Sequence, residues 1–241
     1  MALLGMIQTV CRRLGISVPT TAVGNPDNQI TQLLAIANEE GEDLGSQLAS
    51  GWKVQIRDTT FTMVSSPSQG VMNGTVVADG DYRYIINNTV WNRTTSMPIE
   101  GPLSPVDWET LQAFPVNASP YEQWQIRGKN FYLYPTPAGG DTMAFEYMSD
   151  SFCESSGGVG QKEWKDDTDV GLLDESLMIL GIRWRWLKTK GLEYAEDFNT
   201  YERRVTDAMA RDGGSSILNL GDRYTEPRAG IIIPVGSWNV S

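Results

Sequence analysis

The side chains with the clearest chemical potential are carboxylates. Asp166, Asp167 and Asp169 stand together, and Asp174 and Glu175 follow closely. Oxygen donors at that density could hold Mg²⁺. A phosphatase-like Asp-x-Asp pair needs an apolar strand ahead of it, whereas Glu163-Trp164-Lys165 precedes this one. The cluster also lies where a long helical period begins, and carboxylates there cap free N–H groups and offset the helix dipole. Capping is the expected role, so changing Asp167 and Asp169 to Asn is expected to cost about 0.5–2 kcal/mol.

Other routes to catalysis are missing from the sequence. There is no histidine, which removes His-based triads, His metal ligands and the commonest general base near neutral pH. No G-x-S-x-G elbow, phosphate-binding G-x-x-x-x-G-K-[ST] loop or G-x-G-x-x-G run after a strand occurs. Gly157-Gly158-Val159-Gly160 has no lysine at phosphate-binding spacing and reads as a linker. Cys11 and Cys153 make neither a zinc pattern nor a disulfide framework, which suits a reducing cytoplasm. The expectation is a protein that is not an enzyme, with no catalytic residue, no cofactor and no metal.

Hydrophobic periodicity supplies the elements. Leu3, Leu4, Ile7, Val10, Cys11 and Leu14 recur at helical spacing, with Gly15 as a stop. Asn25-Pro26-Asp27 reads as a helix start with Pro in the first turn. Ile30, Leu33, Leu34, Ala37, Leu44 and Leu48 then mark one face, and Gly41 and Gly45 either weaken that helix or admit a second helix closely. From Gly51-Trp52 the pattern changes to alternation. Residues 53–64 and 82–90 read as strands, 123–127 and 131–134 as a hairpin across Gly128-Lys129-Asn130, and 142–147 as another strand. Ser104 to Asp107 starts a short helix running to about Phe114, and residues 155–160 read as a flexible loop.

The helical period then returns. Leu173, Leu177, Leu180, Trp184 and Leu187 step by fours and threes, and Tyr194, Phe198, Tyr201 and Val205 repeat the stepping after Gly191. This predicts two helices packed along a heptad-like seam within the chain and joined by a tight turn. Seam residues such as Trp184 and Phe198 are expected to be buried. The predicted class is α+β. A discontinuous helical bundle (1–51 and 160–215) carries an inserted β-rich unit (52–159), followed by an extended C-terminal arm (216–241).

That arm is apolar and nearly uncharged. Ile217, Leu218, Leu220, Tyr224, Ile231, Ile232, Ile233, Val235 and Trp238 are too hydrophobic for a solvated end. Either it docks as a last strand on the chain's own β unit, or it docks on a neighbour. The net charge of −11 comes from 19 basic and 30 acidic residues, with no basic tract. Phosphate-neutralising DNA binding is therefore disfavoured. The first residues place apolar side chains before charges, the reverse of a signal peptide, and no run reaches transmembrane length.

The order and spacing of several short runs resemble the adaptor (head-completion or tail-accessory) proteins of short-tailed bacteriophages. These runs are Val10 to Gly15, Leu33 to Gly41, Trp52, Thr60 to Thr62, Trp91 to Thr94 and Gly101 to Ser104. They continue with Ile126 to Gly128, Tyr134-Pro135, Phe145 to Tyr147, Asp166 to Glu175, Leu187-Lys188 and Gly191 to Ala195. The resemblance covers most of the chain, and none of its runs is catalytic. It implies a homo-oligomeric ring, an expected dodecamer, at the virion neck between capsid portal and tail, assembled in the host cytoplasm. Its implied partners are the portal protein, the tail nozzle protein and the tail fibre proteins. DNA would pass through the channel without sequence-specific binding, and no membrane would be involved. In related adaptors the C-terminal arm reaches the portal, which would order residues 216–241 on docking. The competing reading is a host- or carbohydrate-binding tail component using Trp91, Trp108 and Trp124, which read as exposed aromatics.

Overall fold

Leu3, Met6, Ile7, Val10 and Cys11 form the buried face of α1 (Leu3–Leu14), and Gly15 ends it in a left-handed cap at φ 70°. In the computed structural model, which describes residues 2–47, 51–113 and 122–213, α2 runs Asn28–Gln47. Its N-cap is Asp27, whose carboxylate accepts the Gln29 N–H at 2.8 Å, so Pro26 lies just outside the helix. Leu48 and Phe114 fall outside the described residues. What enters at Gly41 is the ring of Phe152, not a second helix. A Cβ on Gly41 would lie 2.3 Å from that ring.

Asp174 starts α4 (Glu175–Thr189), and α5 (Ala195–Gly213) returns along it. Leu177, Met178, Ile179, Leu180, Ile182, Trp184 and Trp186 of α4 are all buried. A helix apolar on all sides is a central one, and α4 packs on α1, α2 and α5. The predicted seam is thus one side of a helix that has neighbours on several.

The strands between are β1 (Ile56–Thr62), β2 (Ser68–Val71), β3 (Tyr82–Ile85), β4 (Trp91–Asn92) and β5 (Met97–Pro98). After α3 (Pro105–Ala113) come β6 (Gln123–Arg127), β7 (Asn130–Tyr134) and β8 (Thr142–Ser149). Ser104 Oγ caps α3 by accepting the Asp107 N–H at 3.1 Å. Two expected strands are shorter than their apolar runs. Lys53–Gln55 forms a 3₁₀ turn ahead of β1. The run from Tyr82 ends at Ile85, and Asn88 then turns the chain at φ 64°.

In one antiparallel sheet β8 pairs with β1, β3 and β4, and β5 extends β4. In the other, β7 lies between β2 and β6. The two sheets share a core in which Phe131 stacks on Trp124 and Phe145, with centroids 5.6 and 6.1 Å apart. A third, small sheet places β9 (Cys153–Glu154) between β10 (Gly160–Gln161) and β11 (Val170–Gly171). Residues 155–159 are therefore the turn of a hairpin.

The fold is α+β, as expected, with two hydrophobic cores. The helical core takes in Trp52, Phe152, Cys153 and Trp164 as well as the four long helices. The division between the cores accordingly falls near Phe152 rather than at 159, because the Phe152 ring is seated against α2. Gly41→Ala is expected to lower stability by about 1–3 kcal/mol through overpacking against Phe152, although Ala favours a helix over Gly by nearly 1 kcal/mol. Urea midpoints of the two proteins check the sign.

Candidate functional site

The carboxylate cluster does not form a metal centre or a row of helix caps. Asp167 Oδ1 accepts the N–H groups of Ala22 and Val23 at 2.9 and 2.8 Å, fixing the α1–α2 connection. Asp169 is buried, and its Oδ2 accepts the Lys165 and Asp166 N–H groups at 2.7 and 2.8 Å. Asp166 closes a local turn on Thr168, whose amide and hydroxyl hold its carboxyl below the ordinary range. Only Asp174 caps α4, accepting the Ser176 N–H at 2.8 Å. Burial works against the Asp174 charge, but the Ser176 hydroxyl and amide outweigh it and lower the pKa. The expectation that Asp167 and Asp169 cap the helix is therefore corrected: from the loop that precedes it, Asp167 holds the backbone of the α1–α2 connection and Asp169 holds the loop's own backbone. Among the described residues no group of three His, Cys, Asp or Glu side chains is placed to hold a metal.

The strongest polar cluster is one that sequence periodicity misses. Glu40 of α2 has 0% of its surface exposed. It accepts Arg185 Nε of α4 at 2.7 Å and the Tyr201 hydroxyl of α5 at 2.7 Å. It fits there because α4 presents Gly181, where a Cβ would come within 2.0 Å of the carboxyl. Arg185 also reaches Glu39 and Asp43. Burial pushes the Glu40 carboxyl up to about 7, against the pull of Tyr201 and Arg185. Burial and then the Glu40 charge raise the Tyr201 hydroxyl. Burial opposes the Arg185 charge, but Glu40 and Asp43 outweigh it and raise the pKa. The hint in the sequence was an acidic pair inside an apolar helix face, Glu39-Glu40 between Ala37 and Leu44.

A second buried carboxylate fastens the β unit beside the helical core. Asp81 accepts the Tyr147 hydroxyl at 2.8 Å and the Ser149 hydroxyl at 2.5 Å, and Arg57 lies 3.5 Å away. Nearby, Gln55 donates to the Ser151 carbonyl at 3.3 Å and Arg83 to the Gly45 carbonyl at 3.1 Å. Gln55 and Arg83 thus join side chain to backbone where the two cores meet.

The seam residues come together within the chain. Leu177, Leu180 and Trp184 of α4 and Tyr201 and Val205 of α5 are buried, and Trp184 meets Phe198 edge-on with centroids 5.0 Å apart. Leu173 is buried but precedes α4. Leu187 and Phe198 are only half-buried, and Tyr194, just ahead of α5, is exposed, so the seam opens towards the inter-helix turn. Trp108 and Trp124, expected to be exposed, are buried against Tyr132, Tyr134 and Phe131. Of the three candidate sugar-stacking aromatics, only Trp91 is partly open. The arm residues Ile217, Leu218, Leu220, Tyr224, Ile231, Ile232, Ile233, Val235 and Trp238 lie outside the described residues. No helix among the described residues is long and apolar enough to cross a membrane.

No protein-family model matches this sequence, and no curated protein matches it either.

Two outcomes test the polar contacts. The folded Glu40 carboxyl keeps its proton up to about 7, against an ordinary value of 4.5. Between those values the folded state binds more protons than the unfolded chain, so this group's contribution to stability falls as pH rises. Urea midpoints of the parent are expected to decline relative to those of Glu40→Gln between about pH 5 and 7. Separately, Asp167→Ala strands two amides and is expected to cost about 1–3 kcal/mol, while Asp174→Ala, a lost cap, costs about 0.5–2 kcal/mol. Thermal melts of both variants measure this.

Proposed function

We propose that this chain is a structural ring subunit of a short-tailed phage virion, joining the portal to the tail and extending the DNA channel. The observation that carries an assembly role is an uncovered strand edge. β1 lies at the end of its sheet, and no described strand pairs with its outer side. Val54 and Ile56, at the start of that edge, are 46% and 39% exposed. A strand edge with no partner among the described strands, beside exposed apolar side chains, is a surface that another chain can cover by adding a strand.

The resemblance supplies the kind of assembly. Its runs fall on both cores: Glu39-Glu40-Gly41 in the central network, Thr60 to Thr62 in β1, Ile126 to Gly128 in the β6–β7 hairpin, and Phe145 to Tyr147 in β8. They also include the Asp166 to Glu175 loop and the α4–α5 turn. The runs are thus spread along the chain rather than gathered in one local motif. The net charge of −11 suits a channel wall that DNA must leave freely. In this reading the partners are the portal, the tail nozzle and the tail fibres, and the arm residues from Ile217 to Trp238 make the portal contact. The site is the virion neck.

The purified chain is expected to be largely monomeric and to form a dodecamer on the portal, as read by native mass spectrometry. A chain lacking residues 217–241 is expected to keep its helical circular dichroism yet lose portal binding. Normal binding by the shortened chain, or a stable trimer of the full one, overturns the reading.

A further inference from the structure

An apolar cleft of about 360 Å³ is lined by Leu44, Trp52, Val54, Leu173, Leu177 and Ala208. It lies where the start of α4, the end of α5 and the approach to β1 converge. Its rim carries Arg211 and Asp212, the last turn of α5. Asp212 accepts the Lys53 N–H at 2.9 Å, which fixes the end of α5 against the residue beside Val54. The chain therefore leaves the helix at the mouth of the cleft.

The residues just beyond α5 have the side chains that could fill the cleft. Gly213 is the last residue of α5, and Gly214-Ser215-Ser216 leads from it to Ile217-Leu218-Asn219-Leu220. Two glycines permit any turn direction. Ile217 lies five residues beyond Asp212, so it cannot be more than about 18 Å from it. A segment tethered this closely meets the cleft at an effective concentration of order mM, above that of the same segment on a second free copy.

We propose that Ile217, Leu218 and Leu220 fold back into the cleft of their own chain. In the free chain the C-terminal segment then starts from an anchored root, which a partner that takes the whole segment has to draw out of the cleft. This inference does not depend on the phage reading, since it rests on the cleft, the exit point and the three side chains.

The test uses disulfide trapping in the full chain. Cys11 and Cys153 are buried, and Val54 is exposed enough to replace without disturbing a core. Val54→Cys is combined in turn with Ile217→Cys, Leu218→Cys and Leu220→Cys, and each pair is oxidised mildly without denaturant. The control pairs Leu218→Cys with Val106→Cys, on α3, which takes no part in the cleft. At least one Val54 pair is expected to close within the chain about tenfold faster than the control or more. If no Val54 pair closes faster than the control, the proposal is overturned. It is overturned equally if the products are disulfide-linked dimers, which would give the cleft to another copy's segment.

Discussion

Glu40 has no contact with solvent and sits where three helices meet, so the bundle closes only if that carboxyl finds partners. An ionisable group buried without them is costly. Arg185 comes from α4 and Tyr201 from α5, and the space for the carboxyl exists because position 181 is glycine. Gly181 and Arg185 are one turn apart on the same face of α4. Sliding α4 by one residue would leave Glu40 facing a side chain instead of a gap and would take Arg185 away. A buried ion pair is weak evidence for stability, but here it restricts the register of α2 against α4 more tightly than apolar contacts alone. The same turn carries Trp184, which meets Phe198 and Tyr201 of α5.

The helical core reaches the β unit through the same stretch of α2. One residue after Glu40, Gly41 admits Phe152, and Gly45 gives its carbonyl to Arg83. The chain enters the β unit past Gln55 and leaves it past Ser151, and those two residues are hydrogen-bonded to each other. Entry and exit are thus pinned together beside α2, while Asp81, just ahead of β3, ties Tyr147 and Ser149 of β8. A lax connection would let the two cores move separately. This one is buried on both sides and made of directed hydrogen bonds, which favours a single rigid body.

Local patterns in the sequence carried most of the elements. Helical stepping in Leu3 to Leu14 and around Leu177 to Val205 placed α1, α4 and α5, and the Gly128-Lys129-Asn130 turn placed the β6–β7 hairpin. Patterns failed where tertiary contacts decided the outcome. The all-round burial of α4 looks like a one-sided seam until its neighbours are known. Asp167 looks like a helix cap because the amides it serves are those of Ala22 and Val23, far away in sequence. Trp108 and Trp124 lie in weakly periodic segments that the neighbouring strands and rings bury. Glu40 was hidden because nothing local announces that a glycine on one helix makes room for a carboxyl on another.

With the cores closed, the outer side of β1 is one of the hydrogen-bonding rows left open among the described strands. Arg57 and Asp58 place charge on that strand, and charged side chains discourage indiscriminate edge pairing. Backbone hydrogen bonds alone would then select no particular partner. Selection has to come from the side chains next to the edge, and the apolar ones are Val54 and Ile56 at its start. The end of α5 is fastened at the same place by the Asp212–Lys53 hydrogen bond. Chain exit, apolar notch and open edge therefore coincide, which makes the start of β1 the part of that edge where side chains, rather than backbone alone, can discriminate between segments.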